Sequence, residues 1–510
     1  MKTILRTTIA LLLAICFAGI SNAQHLTIFA LNDTHSFVQP ADDGQGGAFR
    51  HRAIVDSLRH CSPHFVAIHA GDAVQGTNYF SMFGGDVEFA LIDSVGFDIA
   101  ILGNHEFDNG IERLAKYYKA MKVTHLSSNY DFSGTCMEGL FMPYIIKNYG
   151  GKRVAFIGLN VQPKGMIADD KIPGVTYYDS QVIGIQLSDY LKETGQADYV
   201  VAVTHIGYRG FTPDQECDVY LAQNSTNIDL IVGAHSHTLL NPAKPSSKYP
   251  YRIKNKAGRD VVITQAGRGG KNAALVDFNL ENGEIDYQVL TIDSKYDALA
   301  AKYTDLQAWL KPYDDAVYEK MHKVLCQSSA NMPNSGQGAL SNWVCDVTRT
   351  IVSQLAGVKA DCAIMNCGGI RHKLPKGDVS EGLIESIFPF DNRYVLLELT
   401  GVELLESLRI MASRGGDAVS AELDVVFADG GELVSAKIGG KDIKPTKKYK
   451  VATIDYLANG GDYMTSLRDA KRLYVDDVPY NRHLRKYCIA LGEAGKAIES
   501  PSNVRMRKKK

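Results

Sequence analysis

Along the first half of the chain, short apolar runs alternate with stretches whose apolar residues are spaced for helices. Leu26–Leu31, Phe65–Ala70, Ile99–Leu102, Val154–Leu159, Val200–Thr204 and Leu230–Val232 are each of strand length and rich in Val, Ile and Leu. Such runs predict strands buried in an α/β or mixed layered domain. The period changes near residue 299. Leu299, Tyr303, Leu306, Leu310, Tyr313, Val317 and Met321 recur at steps of three or four, which predicts a helix with one apolar face. Pro312 lies inside it and is expected to kink or divide it, because proline has no amide hydrogen and its ring crowds the preceding turn. Strand-like runs return at Ala363–Met365 and Tyr449–Thr453. The pattern divides the chain into a layered α/β domain over 24–295, a connecting helix over 296–325 and a second α/β domain over 326–510. No internal repeat or low-complexity tract interrupts it.

The N-terminus adds a compartment. Lys2 and Arg6 precede an uncharged run from Ile9 to Ile20, and Ser21-Asn22-Ala23 supplies the small residues a signal peptidase needs. Residues 1–23 read as a secretory signal peptide with Gln24 as the mature N-terminus, which places the protein in the periplasm or at the cell surface. The run is too short for a membrane span. Leu13-Ala14-Ile15-Cys16 resembles a lipoprotein box, with Ile15 large for its position, so ordinary cleavage is favoured over lipidation at Cys16. Cleavage removes one of nine cysteines. No Cys-x-x-Cys pair occurs, which excludes cysteine zinc cages and thioredoxin-like chemistry. Cys345, Cys362 and Cys367 are close enough in sequence for a local bridge, with buried free thiols the equal alternative. The formal net charge of −2 gives no field for nucleic-acid polymers. The basic run Arg505–Lys510 reads as a solvated tail.

The chemistry sits where five of the apolar runs end. They lead into Asn32-Asp33-Thr34-His35, Gly71-Asp72, Gly103-Asn104-His105-Glu106-Phe107-Asp108, His205, and Gly233-Ala234-His235-Ser236-His237. Strand ends let a rigid sheet hold polar groups together while the loops leave room for a substrate. Imidazole and carboxylate together suit two divalent ions such as Zn, Mn or Co. Two such ions clamp the attacking and leaving oxygens of an in-line displacement at phosphorus and acidify water for the attack. Each motif alone is weak; Gly-Asp, for instance, is often only a turn. The ordered set is specific. His51, His60, His64, His69 and His125 share no such pattern and receive no role.

This set resembles the calcineurin-like metallophosphoesterases, and Phe107 and Asp108 after the Asn-His-Glu core resemble their 5′-nucleotidase branch. The resemblance implies an αββα-layered first domain and a two-metal centre. Asp33, His35, Asp72 and His237 would hold one ion. Asp72, Asn104, His205 and His235 would hold the other, with Asp72 bridging. Some bacterial members carry Gln where His237 stands, which leaves the metal preference of this chain open to differ from theirs. His105 would stand beside the ions and donate to a phosphoryl oxygen as charge builds, with Asp108 orienting its ring. A carboxylate favoured at a helix N-terminus is the structural alternative for Asp108.

The second half carries glycine turns and aromatics: Asn366-Cys367-Gly368-Gly369-Ile370-Arg371, Phe388-Pro389-Phe390, and Tyr456 followed by Asn459-Gly460-Gly461-Asp462. In isolation each reads as a turn or core aromatic. Together they resemble the nucleotide-binding C-terminal domain of the 5′-nucleotidases. Asn366, Gly369 and Arg371 would then hold phosphate or ribose, Phe390 and Tyr456 would stack on the base, and Asp462 would bind ribose hydroxyls. The segment Ser335–Asn342 lacks the arginine that many relatives carry just before it. The resemblance also implies a rotation between domains, for which the connector around Pro312 is a sensible hinge. The expected activity is removal of the 5′-phosphate from nucleoside monophosphates, with cleavage of nucleotide sugars in addition, by a monomer or weak oligomer acting on small molecules. A 2′,3′-cyclic-nucleotide phosphodiesterase, a broad phosphatase and a catalytically dead nucleotide-binding protein are the alternatives; the intact ligand set argues against the last.

Overall fold

The predicted strand at residue 26 forms over His25–Leu31, and its side chains divide by parity as a pleated strand requires. Leu26, Ile28 and Ala30 face a core shared with Val154, Phe156, Val201 and Ile231. Phe29 and Leu31 face the other way, onto Ile54, Val55 and Leu58 of the helix Ala48–Cys61 and Ile92 of the helix Asp86–Val95. That one strand therefore sits in the second of four layers. The computed structural model describes residues 24–509 apart from residues 42, 165 and 211–215, so the leader read over 1–23, with Cys16, lies outside the described residues. Two separately packed units divide the chain after Tyr313.

The first unit holds two six-stranded sheets. One runs Ile285–Thr291, Asn272–Asn279, His25–Leu31, Phe65–His69, Ile99–Ile101, Thr124–Leu126; the other runs Arg252–Lys254, Asp260–Thr264, Leu230–Val232, Tyr199–His205, Lys152–Asn160, Tyr144–Tyr149. The last four strands of the first sheet are parallel, as are the middle four of the second. The strands that precede the five metal motifs are all among these eight, so their carboxyl ends open on one side, where ligands bind in open parallel sheets. The helices Ser180–Glu193 and Asp218–Asn224 bury Leu191 and Leu221 against the second sheet, which completes the αββα layering.

The connector departs from expectation in two ways. Residues 299–321 do not form one helix: a short helix Asp297–Ala300 ends before a second begins at Thr304. The second runs to His322 with Pro312 inside and is not divided there. Ala308, whose carbonyl loses its partner to the proline, lies on the exposed face of the helix, open to solvent.

The second unit is built on a five-stranded sheet ordered Ala418–Val419, Cys362–Met365, Lys448–Ile454, Arg393–Thr400, Lys471–Pro479. The helix Ala339–Leu355 lays Leu340, Val344 and Val352 on it. Its cysteines are free thiols, so no bridge joins Cys345, Cys362 and Cys367; burial pushes the Cys362 thiol up, which keeps it protonated.

The basic C-terminus is not a solvated tail. Met506–Lys508 pairs in parallel with Leu423–Phe427. Arg505 is 3% exposed. Its Nη1 and Nη2 donate to the two carboxylate oxygens of Asp346 at 2.8 and 2.6 Å, and Nη1 also reaches the carbonyl of Val419 at 3.0 Å. Arg505→Ala leaves the part-exposed Asp346 carboxylate unpaired and takes a donor from the carbonyls of Asn342 and Val419, so the second unit is expected to lose about 2 kcal/mol of unfolding free energy. A urea titration that returns the wild-type midpoint would contradict this.

Candidate metal centre

The motifs meet at the shared mouth of the two sheets. Asp33, His35, Asp72 and His237 form one cluster and Asp72, His205 and His235 a second, each with its donor atoms within 4.8 Å of one another; Asp72 is common to both. Asp72 Oδ2 is 3.1 Å from His205 Nε2 and 3.9 Å from His35 Nε2. Asp33 Oδ1 is 3.4 Å from His237 Nε2. Asn104 Oδ1 lies 3.0 Å from His235 Nδ1, which brings the amide to the second cluster.

Two of the histidines have one ring nitrogen fixed by a backbone carbonyl. His35 Nδ1 faces the carbonyl of Gln75 at 3.1 Å and His205 Nδ1 that of Ala70 at 2.8 Å. Each Nδ1 therefore carries the hydrogen, leaving an Nε2 lone pair aimed into the cluster. His35 Nε2 and His237 Nε2 are 2.9 Å apart. Asp33 Oδ1 and His205 Nε2 are buried without a hydrogen-bond partner. Orphaned buried donor atoms are costly unless a cation lies among them, so the residues present fit a pair of divalent ions. Burial holds the His35 and His235 imidazoles down to about 4, the neutral form that ligates. At His205 burial acts in the same sense, but the carboxylates of Asp72 and Asp33 outweigh it and push the pKa up to about 10, so a proton occupies Nε2 until a bound cation takes its place.

Backbone strain concentrates here. Asp33, His35, Asp72, His235 and His237 all have φ between 48° and 75°, the left-handed region that non-glycine residues avoid. Glycine is needed beside them: a Cβ on Gly103 would come within 2.2 Å of Asp72 Oδ1. The strained turns are held by residues to which the sequence reading gave no role. Glu106, 4% exposed, accepts the amide hydrogens of Asp72, Ala73 and Gly103 at 3.0, 2.7 and 2.6 Å, tying two ligand loops together. Asn32 Nδ2 donates to Asp33 Oδ2 at 2.5 Å and to the carbonyl of Gly267 at 2.7 Å. His69 Nε2 meets Thr34 Oγ1 at 3.0 Å and His51 Nε2 meets the carbonyl of Gly270 at 2.7 Å. Glu106 and Asn32 stand inside the quoted motifs; His51 and His69 carry no sequence signal.

His105 stands beside the clusters. Its amide donates to Asp72 Oδ1 at 3.0 Å, and its Nδ1 is 3.0 Å from Asp108 Oδ2. Burial disfavours a charged ring, but Asp72 and Asp108 overcome it and push the pKa up to about 9.

The second unit brings its nominated residues together in pairs. Tyr456, 41% exposed, donates its hydroxyl to Asp462 Oδ1 at 3.0 Å. The Arg371 guanidinium lies 5.0 Å from the centre of the Phe390 ring. Asn366 directly precedes a single 3-10 turn, Cys367–Gly369, without a side-chain bond to it. Phe388, by contrast, is fully buried in the core against Tyr480.

Comparison with known proteins finds two families in succession along the chain. Residues 26–239 match the calcineurin-like phosphoesterase family and residues 320–469 the 5′-nucleotidase C-terminal domain. A 5′-nucleotidase of Vibrio vulnificus is 25% identical over 86% of this chain and 85% of its own length. An apyrase of Tabanus yao is 25% identical over 92% and 93% respectively. The crystal structure of a 5′-nucleotidase precursor from Thermus thermophilus superposes with a TM-score of 0.77 at 27% identity, covering 95% of this chain and 99% of that one. Calcineurin-like phosphoesterases use two divalent metals. No helix among the described residues is long and apolar enough to cross a membrane. With a calcineurin-like phosphoesterase domain followed by a 5′-nucleotidase C-terminal domain, the chain has the domain pair of the 5′-nucleotidases it resembles and is a hydrolase of phosphoric ester bonds.

Proposed function

We propose that the protein is exported and releases phosphate from nucleoside 5′-monophosphates, with Asp33, His35, Asp72 and His237 around one ion and Asp72, Asn104, His205 and His235 around the other. The observation that carries this reading is the pair of donor clusters sharing Asp72, with the Asp33 and His205 donor atoms buried and unpartnered. When bound, the metal pair supplies Lewis acidity and an acidified water. The protein's own part is orientation and proton handling. Asp108 accepts the Nδ1 hydrogen of His105 and leaves Nε2 to donate to a phosphoryl oxygen. Asn366, Gly369, Arg371, Phe390, Tyr456 and Asp462 form the nucleoside-binding group. Export rests on the charge and small-residue pattern of residues 1–23.

A panel of AMP, ADP, UDP-glucose, 2′,3′-cyclic AMP and p-nitrophenyl phosphate, with and without chelator, tests the reading. ADP is included because the apyrase relative spans nearly the whole chain. AMP is expected to be the best substrate, and chelator to abolish every activity. Preference for the cyclic nucleotide, or hydrolysis that survives chelation, would overturn it. Phe390→Ala and Tyr456→Ala are each expected to raise KM for AMP roughly 5- to 150-fold, the equivalent of about 1–3 kcal/mol of stacking. p-Nitrophenyl phosphate has no base to stack, so its hydrolysis is the reference. Equal damage to both substrates would make these rings core packing.

A further inference from the structure

Two residues outside every motif join the turns that carry the nucleoside-binding group. Asp417 is 5% exposed and lies just beyond the helix Gly401–Ser413. Its Oδ1 accepts the amide hydrogen of Cys367 at 2.5 Å, inside the Asn366–Arg371 turn. Its Oδ2 is paired with Nη2 of Arg414. Nη1 of Arg414 donates to the backbone carbonyl of Asp462 at 2.6 Å and stands 3.8 Å from Asp462 Oδ2. The Tyr456 hydroxyl completes the series on Asp462 Oδ1.

The carbonyl that Arg414 holds lies at a strained place. Asp462 and Tyr463 both have positive φ, 53° and 64°, next to Gly460 at 92°. Two consecutive non-glycine residues in the left-handed region keep that conformation only when their surroundings enforce it. Arg414 bonds the carbonyl of the peptide that links them. A guanidinium suits the task because its donors form a rigid planar fork that meets two acceptors at a fixed angle.

We propose that Arg414 and Asp417 are a positioning pair, a strut that sets the spacing between the Asn366–Arg371 turn and the Asp462 turn so that both reach one nucleoside. The proposal rests on the reading of these turns as the nucleoside-binding group. The strut touches no substrate; it acts through Asp462 and the Cys367 amide.

The test is steady-state kinetics of the full chain on AMP and p-nitrophenyl phosphate for Arg414→Ala, Arg414→Lys, Asp417→Asn and the double variant Arg414→Ala/Asp417→Asn, with Phe390→Ala as reference. Each single variant is expected to lower the ratio of kcat/KM for AMP to that for p-nitrophenyl phosphate by about ten- to a hundredfold, mainly through KM, as displacement of a binding group by an ångström does. Lysine is expected not to rescue, because a point charge cannot hold both acceptors. The double variant is expected to be no worse than the more damaged single one, since the two residues act as one unit. If Phe390→Ala lowers the ratio and Arg414→Ala does not, the strut is refuted while the nucleoside site stands. If neither lowers it, the nucleoside site itself is refuted and the strut with it. Equal losses on both substrates, or full rescue by lysine, would reduce the pair to general stability or simple charge.

Discussion

Replacing Asp72 is expected to abolish hydrolysis and to lower the number of ions bound per chain. Asp72 is the one carboxylate common to both donor clusters. Its Oδ2 faces His205 and His35, and its Oδ1 holds the amide of His105. Losing it would remove the negative charge shared by both clusters and free the turn that carries His105. Transition-state charge stabilisation by bound ions is worth several kcal/mol, so a loss of at least about a thousandfold in kcat follows. Asp72 has φ of 53°, where alanine is strained but asparagine is tolerated. Asp72→Asn is therefore the cleaner variant: it keeps the backbone and an acceptor for the His105 amide and removes the charge. Metal content by plasma mass spectrometry and turnover are measured together. Near-normal turnover in both variants would remove the two-metal assignment. In the wild type, chelation is expected to inactivate and added Zn, Mn or Co to restore.

His105→Ala is expected to act on the chemical step and leave the ions in place. His105 belongs to neither donor cluster, and it contacts Asp72 through its backbone amide, which alanine retains. A positioned acid or hydrogen-bond donor typically contributes about 10²–10⁴-fold, and kcat is expected to fall by that amount with metal content unchanged. Loss of metal, with turnover per ion pair preserved, would make His105 a ligand. Asp108→Asn is the graded companion. Burial lowers the His105 pKa, and the neighbouring carboxylates raise it to about 9. The charged ring is present below that pKa and lost above it, so removing the Asp108 carboxylate is expected to shift the alkaline limb of the activity profile to lower pH.

How much of this is legible in the chain depends on how far apart the interacting residues lie. The strands before the metal motifs are visible because each is a contiguous run of Val, Ile and Leu, and burial on both faces removes the polar alternation that would otherwise obscure them. The motifs are visible for the same reason: Asp33 and His35, or Asn104 through Asp108, are neighbours in sequence, and a strand end delivers them as a block. The same proximity makes Phe390, Tyr456 and Asp462 readable as candidates. Local reasoning fails where a distant group decides the outcome. Pro312 does not divide its helix, because the carbonyl it orphans is on the solvent side. Arg505 reads as part of a charged tail, yet its partner Asp346 lies 159 residues earlier and draws it into the core. Glu106 stands inside a quoted motif, but its task is not visible there; its three amide partners converge only when two strands of one sheet stand side by side. His51, His69 and Arg414 acquire their partners in the same way. The ligand types, their order and the strands that carry them are matters of local composition, and the linear chain is enough to specify them. The left-handed turns, the buried residues that hold them and the tie between the second unit's two turns are not, because each depends on hydrogen bonds between segments that meet only after the sheets have formed.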